Sequence, residues 1–161
     1  MAPEQAPAII QPESTGRSTT EVAAVAQTRY SASLTRVDAV MHRGVITCSP
    51  DWSGLVVARI MAAHRIHSIV VISPGAPPKI VTDAEIAHAL YDGTLATRSA
   101  NEIAKSAGIL LRDDTLSHAT RCMHEQEATH AVVVDSRRLQ RPVGVLSVLD
   151  IIEVVAERGG S

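Results

Sequence analysis

The sequence predicts an α+β fold: two repeats of the pattern β-α-β-β-α, packed as a pseudo-twofold pair around small mixed sheets. Three observations carry this. First, the chain repeats itself at an offset of 62 residues. "PDWSGLVVARIMAAHRIHSIVVI" (50–72) lies over "RDDTLSHATRCMHEQEATHAVVV" (112–134), so Asp51 meets Asp113, Arg59 meets Arg121, Met61 meets Met123 and Val70–Val71 meets Val132–Val133. Second, the same succession of element types follows in both halves. Third, neither half is large enough to close a core alone, whereas two sheets packed on each other are.

Residues 1–33 are rich in Ala, Pro, Gln, Ser and Thr and keep no apolar period, which predicts a flexible tail. Within it, Thr20–Gln27 is able to form a short helix only by docking on the rest. The first repeat is placed at 34–95. It opens with the lead-in "RVDAVM" (36–41), and Asp51 is expected to cap the helix that follows, where an acid suits free N–H groups. Leu55, Val56, Val57, Ile60 and Met61 make that helix apolar nearly all round, so it is expected to be buried. "IVVI" (69–72) is short and β-branched, hence a buried strand. "SPGAPPK" turns the chain into a return strand "KIV" (79–81), and a helix from Asp83 to Tyr91 closes the unit.

The second repeat is placed at 96–158, with 159–161 as the chain end. Its lead-in is "SANEIA" (99–104). Its first helix is amphipathic, with Leu116, Ala119 and Met123 on one face, and "AVVV" (131–134) is the matching buried strand. "DSRRLQRP" turns into "VGVL" (143–146). Val148, Ile151, Ile152 and Val155 then keep the spacing of one buried helix face up to about Glu157, where "RGGS" is a reasonable stop.

Composition limits the function. The chain is 45% hydrophobic but 2% aromatic, so the core is aliphatic and stacking platforms for single-stranded nucleic acid are nearly absent. Net charge is −2, which is no footprint for DNA or RNA. Cys48 and Cys122 are too few for a disulfide framework and read as free thiols in a reducing compartment. The start has no secretory pattern and no apolar run approaches the ~18 residues that span a bilayer, so a cytoplasmic protein is expected, with neither membrane nor nucleic acid as partner. No nucleophile motif or cofactor fingerprint is present, and no enzyme is expected.

The chemistry-bearing residues sit at two strand-to-helix hinges. Ser147 and Asp150 stand three apart in "VGVLSVLDI", and Thr82 and Glu85 stand likewise in "KIVTDAEI". Both spacings also describe a capping box, in which the hydroxyl bonds one backbone amide and the acid reaches back to another. Glu is the preferred acid there, so the cap alone explains Thr82–Glu85 well; for Ser147–Asp150 capping and a ligand role stay open together. His64, His67, His118 and His124 offer metal-type donors, but no CxxC or HExxH spacing joins them, and no metal is expected. Arg137, Arg138 and Arg141 form a basic run on a turn, for which solvent is the default neighbour.

Gly144, Ser147 and Asp150, together with "VDAVM" (37–41) and the internal repeat, resemble a tandem pair of CBS domains, a Bateman module, over about residues 34–158. The resemblance implies a cleft between repeats that takes an adenosine-type ligand such as AMP, ADP or ATP, bound as a regulator and not as a required cofactor. It implies an acid at the ribose, Asp150; a hydroxyl at phosphate, Ser147; and apolar strand backbone at the base. Gly144, Val145, His130 and Thr47 are the further residues expected there. In the first repeat Thr82 keeps the pattern, Glu85 replaces the aspartate and Lys79 the glycine, which implies a weaker second site. The resemblance also implies a homodimer and a regulated protein still to be identified. The rival expectation is a structural dimerisation or interaction module with no nucleotide.

Overall fold

The computed structural model describes residues 18–136 and 141–159. The tail before Ser18, Arg137 and Arg138 of the second turn, and the end of "RGGS" lie outside the described residues.

The chain begins with helix α1 (Thr19–Leu34), followed by a 3-10 turn at Val37–Ala39 and two short strands, β1 (His42–Arg43) and β2 (Thr47–Cys48). Then come α2 (Gly54–His64), β3 (Ser68–Val71), β4 (Lys79–Thr82) and α3 (Asp83–Tyr91). The second half runs α4 (Ala100–Ile103), β5 (Lys105–Ser106), β6 (Gly108–Leu111), α5 (Leu116–Glu125), β7 (His130–Val134), β8 (Pro142–Ser147) and α6 (Val148–Gly159). Two four-stranded sheets result, in the orders β2-β3-β4-β5 and β1-β8-β7-β6. In each, one parallel pair is joined through a helix and the remaining pairs are antiparallel.

The two lead-in strands change places. β5, which precedes the second repeat in sequence, completes the first sheet beside β4; β1 completes the second sheet beside β8. Each half thus borrows its edge strand from the segment ahead of the other. A slow, non-local closure of this kind ties both repeats into one unit. Two aliphatic cores fill the halves, around Val57, Ile69 and Val81 in one and Leu110, Leu116 and Leu146 in the other. A third cluster, Val70, Ile80, Val132 and Val134, joins the sheets at the pseudo-twofold seam. Each such side chain contributes roughly 1.5–3 kcal/mol by leaving water, so the seam holds the halves as firmly as a domain core.

Local details depart from expectation. Helix α1 runs twice the expected length: Ser18 and Glu21 form a full capping box at its start, and the helix continues past Gln27 to Leu34. It rests on α5 and α6, with Ala32 against the second core. Asp51 and Asp113 are not the caps of α2 and α5. Ser53 and Thr115, two residues later, accept from the amides of Val56 and His118, since a hydroxyl at N-cap reaches those donors without a buried charge. Nor is α2 buried all round. Val57 and Met61 face the core, while Val56 is 38% exposed.

Candidate functional site

Ser147 ends β8 and Asp150 sits in the first turn of α6, so the hinge places a hydroxyl and a carboxylate against free helix amides. The Ser147 amide donates to Asp150 Oδ2 at 2.6 Å and its hydroxyl donates to the same oxygen at 2.7 Å. The Asp150 amide in turn donates to Ser147 Oγ at 3.3 Å. The capping box is complete. It consumes one carboxylate oxygen only, and Asp150 is 4% exposed. Its other oxygen, Oδ1, lies 3.0 Å from Nδ1 of His42, a residue on β1 whose side chain is 79% exposed.

The first repeat builds the same arrangement from different residues. Thr82 donates from its amide (3.0 Å) and hydroxyl to Glu85 Oε2, and Lys105 on β5 reaches Oε1 at 2.7 Å. Burial pushes the Glu85 carboxyl up, but the Lys105 ammonium and the Thr82 donors outweigh it and hold the carboxyl below its usual range. The Lys105 ammonium is held above its usual value by the same contact. At both hinges, one acid oxygen caps its own helix and the other meets a nitrogen-bearing side chain of the exchanged edge strand, His42 in one case and Lys105 in the other.

Five of the six residues expected at the main site gather here. Gly144, Val145 and Ser147 lie on β8, Asp150 on α6, and His130 on β7 is the register partner of Ser147. Thr47 does not join them by strand pairing; it is exposed on β2, at the edge of the other sheet, opposite Val70. A Cβ on Gly144 would stand 2.6 Å from Met41 Sδ and 2.7 Å from the His42 carbonyl oxygen, so within the chain the backbone that comes close to it is that of β1. His42 and Lys105 were missed by sequence reasoning. The available signal was the repeat itself, since His42 and Lys105 are nitrogen-bearing residues that each directly follow a lead-in.

Acids of both hinges act on one residue, His130. His130 is half-buried, and its surroundings combine Asp83, Asp150 and Glu85 with His67. Burial holds its imidazole below the usual value, against the pull of those carboxylates. The folded protein therefore favours neutral His130, which contributes stability present above about pH 6.5, the unfolded value. That contribution is lost as pH falls through the lower folded value. In His130→Asn, melting between about pH 7 and 5 should depend less on pH than in the wild type; an unchanged slope would assign the effect elsewhere. His67 pairs with Asp83 at 3.3 Å. Among the described residues, no group of three or more His, Cys, Asp or Glu is arranged to hold a metal ion. Cys48 and Cys122 are both free; burial pushes the Cys48 thiol up to about 11. No described helix is long and apolar enough to cross a membrane.

Comparison with known proteins adds the following. The CBS domain family model matches the chain twice, at residues 37–92 and 107–157. No curated protein sequence matches. Among solved structures, the CBS domain pair of protein MJ0100, in complex with 5-methylthioadenosine and S-adenosyl-L-methionine, is 22% identical with a TM-score of 0.68, over 77% of this chain and 98% of that one. The CBS domain protein PAE2072 from Pyrobaculum aerophilum, complexed with AMP, is 23% identical with a TM-score of 0.67, over 78% and 99%. A hexameric CBS-CP12 protein from bloom-forming cyanobacteria is 18% identical with a TM-score of 0.67, over 74% and 70%. At these identities the likeness is one of fold.

Proposed function

The chain belongs to the CBS domain family as a tandem pair, and from that premise we propose that it is a regulatory module, not an enzyme, which binds an adenosine-type molecule beside Ser147 and Asp150. The repeats at 34–95 and 96–158 would form the halves of the cleft, in a cytoplasmic homodimer that signals to a regulated protein through conformation or assembly. The carrying observation is the half-used carboxylate. Asp150 is nearly sealed, its Oδ2 is fixed by the cap, and its Oδ1 meets the exposed His42 ring. A ligand diol that donates to Oδ1 replaces one donor with another, so no buried charge is orphaned during the exchange. Solved pairs of this fold hold AMP, and S-adenosyl-L-methionine with 5-methylthioadenosine, which supports the ligand class.

The second hinge supports a weaker site or none. Lys105 is a permanent cation at 2.7 Å from Glu85, and a neutral hydroxyl displaces it at a loss. The alternative reading, an interaction module without nucleotide, draws on the fact that both motif acids already have partners on every oxygen. Thermal melting of the full chain with AMP, ADP, ATP and S-adenosylmethionine separates the two. Binding stabilises by about 2.7 kcal/mol at a hundredfold excess over Kd, so a rise in melting temperature with one of them is expected. No shift at millimolar ligand favours the alternative.

A further inference from the structure

An adenosine-type ligand presents two ends to its site, the diol and the 5′ substituent, and the hinges have little to offer a phosphate at the second. A phosphate needs hydrogen-bond donors or permanent cations. The Ser147 hydroxyl has one hydrogen and gives it to Asp150 Oδ2 at 2.7 Å, and the Ser147 amide goes to the same oxygen at 2.6 Å. The hydroxyl oxygen in turn accepts from the Asp150 amide at 3.3 Å. At the first hinge Glu85 Oε2 engages the Thr82 hydroxyl and amide in the same way, and the Ala84 amide is taken by Thr82 and Asp83. The hydroxyl expected at phosphate is therefore already a donor to its own helix's acid.

The permanent cations nearest in the fold are turned elsewhere. Lys105 is held by Glu85 at 2.7 Å. Arg43 follows His42 on β1 and so leaves the opposite face of the sheet, where its guanidinium donates to the Asp38 carbonyl at 3.1 Å. Lys79 stands at the other end of β4 from Thr82, with Nζ on Asn101. Arg141 lies past the end of β7 remote from His130 and pairs with Asp135 at 3.7 Å. His130, the register partner of Ser147, instead feels three carboxylates, Asp83, Asp150 and Glu85, together with the His67 imidazole. Asp83 opens α3, is exposed, and meets His67 at 3.3 Å. Burial keeps the His130 ring neutral at about pH 7 and above, so this side of the site presents acid, not base.

We propose that the ligand beside Ser147 and Asp150 is an adenosine derivative without phosphate and with a cationic 5′ substituent, of the sulfonium or amine class. The ribose is short, so with the diol at Asp150 Oδ1 the 5′ substituent stays near the hinge whichever way the ligand lies. A phosphate there meets donors that are already engaged and charges of its own sign. A cation meets the exposed Asp83 carboxylate and the field that Glu85 and Asp150 add to it. Discrimination thus comes as much from what the hinge denies a phosphate as from what it gives a cation. The inference rests on the proposed function and narrows it from adenosine-type ligands at large to one charge class.

The test is isothermal titration of the full chain with S-adenosylmethionine, methylthioadenosine, AMP and ATP, with circular dichroism to confirm the fold of each variant. Affinity is expected to fall in that order, from the cation through the uncharged thioether to the phosphates, with AMP roughly tenfold or more weaker than S-adenosylmethionine. Asp83→Asn keeps the acceptor for the Ala84 amide and is expected to narrow that gap several-fold. His130→Arg, which sets a permanent cation beside Ser147, is expected to close or invert it. AMP or ATP bound by the wild type as tightly as S-adenosylmethionine overturns the inference and leaves the adenosine-type reading standing. Methylthioadenosine bound as tightly as S-adenosylmethionine overturns the cationic substituent. A gap that neither variant moves overturns the assignment of the selection to these groups. If none of the four binds at millimolar concentration, the reading beneath the inference fails, and the inference with it.

Discussion

Gly144→Val is expected to lower the melting temperature sharply in the absence of any ligand, while Lys79→Gly, the matching change in the first repeat, stays near neutral. The reason is a strand contact. Gly144 is the register partner of Arg43 on β1, and any Cβ would stand 2.7 Å from the His42 carbonyl oxygen and 2.6 Å from Met41 Sδ. The methionine end can move; a backbone carbonyl paired in a sheet cannot. The clash therefore pushes β1 off β8, and with it the edge strand that the second half borrows. Overpacking of this kind costs typically 1–3 kcal/mol and more where backbone must shift, and each kcal/mol lowers the melting temperature of a chain this size by about 2–4 °C. At position 79 the partner is Ser106 on β5, and the side chain lies outward with Nζ 2.9 Å from Asn101 Oδ1. Urea melts of both variants decide it. Equal loss in both, or a Gly144→Val that melts with the wild type, would return the glycine to a ligand role.

How legible this architecture was in the sequence depended on element size. β3 and β7, with helices α2 and α5 before them, advertise themselves by runs of β-branched residues and by matched methionines, because burial on both faces leaves no room for polar alternation. β1 and β5 are two residues each and carry no period, so nothing local says that they pair at all, still less with the other half. The exchange of edge strands was invisible for that reason. The consequence for the site was large. Asp150 and Glu85 were evident from their hinges, but His42 and Lys105, which contact them, reside on those unreadable strands. Caps show the same limit from the other side. Asp51 and Asp113 look like caps on charge alone, yet Ser53 and Thr115 do the work because geometry, not charge, decides which oxygen meets the free amides. The box at Ser18–Glu21 marks the start of α1 in the sequence, but nothing as local marks its end at Leu34.

Asp150→Ala is expected to abolish any nucleotide-induced rise in melting temperature, and Glu85→Ala to leave most of it. The two acids cap their helices alike, so folding alone does not distinguish them. Losing either strands a serine or threonine amide and should cost about 1–3 kcal/mol. What separates them is the second oxygen. On Asp150 it meets His42, whose ring is mostly in solvent and swings away at the expense of one contact; on Glu85 it meets an ammonium that holds the carboxylate ionised. Asp150→Asn guards against simple unfolding. Its amide oxygen still accepts from Ser147, while its NH2 faces the diol and cannot accept from it. His42→Ala is expected to act in the opposite direction, tightening the ligand by a few-fold, since the internal competitor for Oδ1 is gone. Isothermal titration of the wild type, Asp150→Asn, Glu85→Ala and His42→Ala reads all four. Binding lost in Glu85→Ala and kept in Asp150→Asn would move the site to the first hinge. A His42→Ala affinity below wild type would make that histidine a ligand contact, not a stand-in for one.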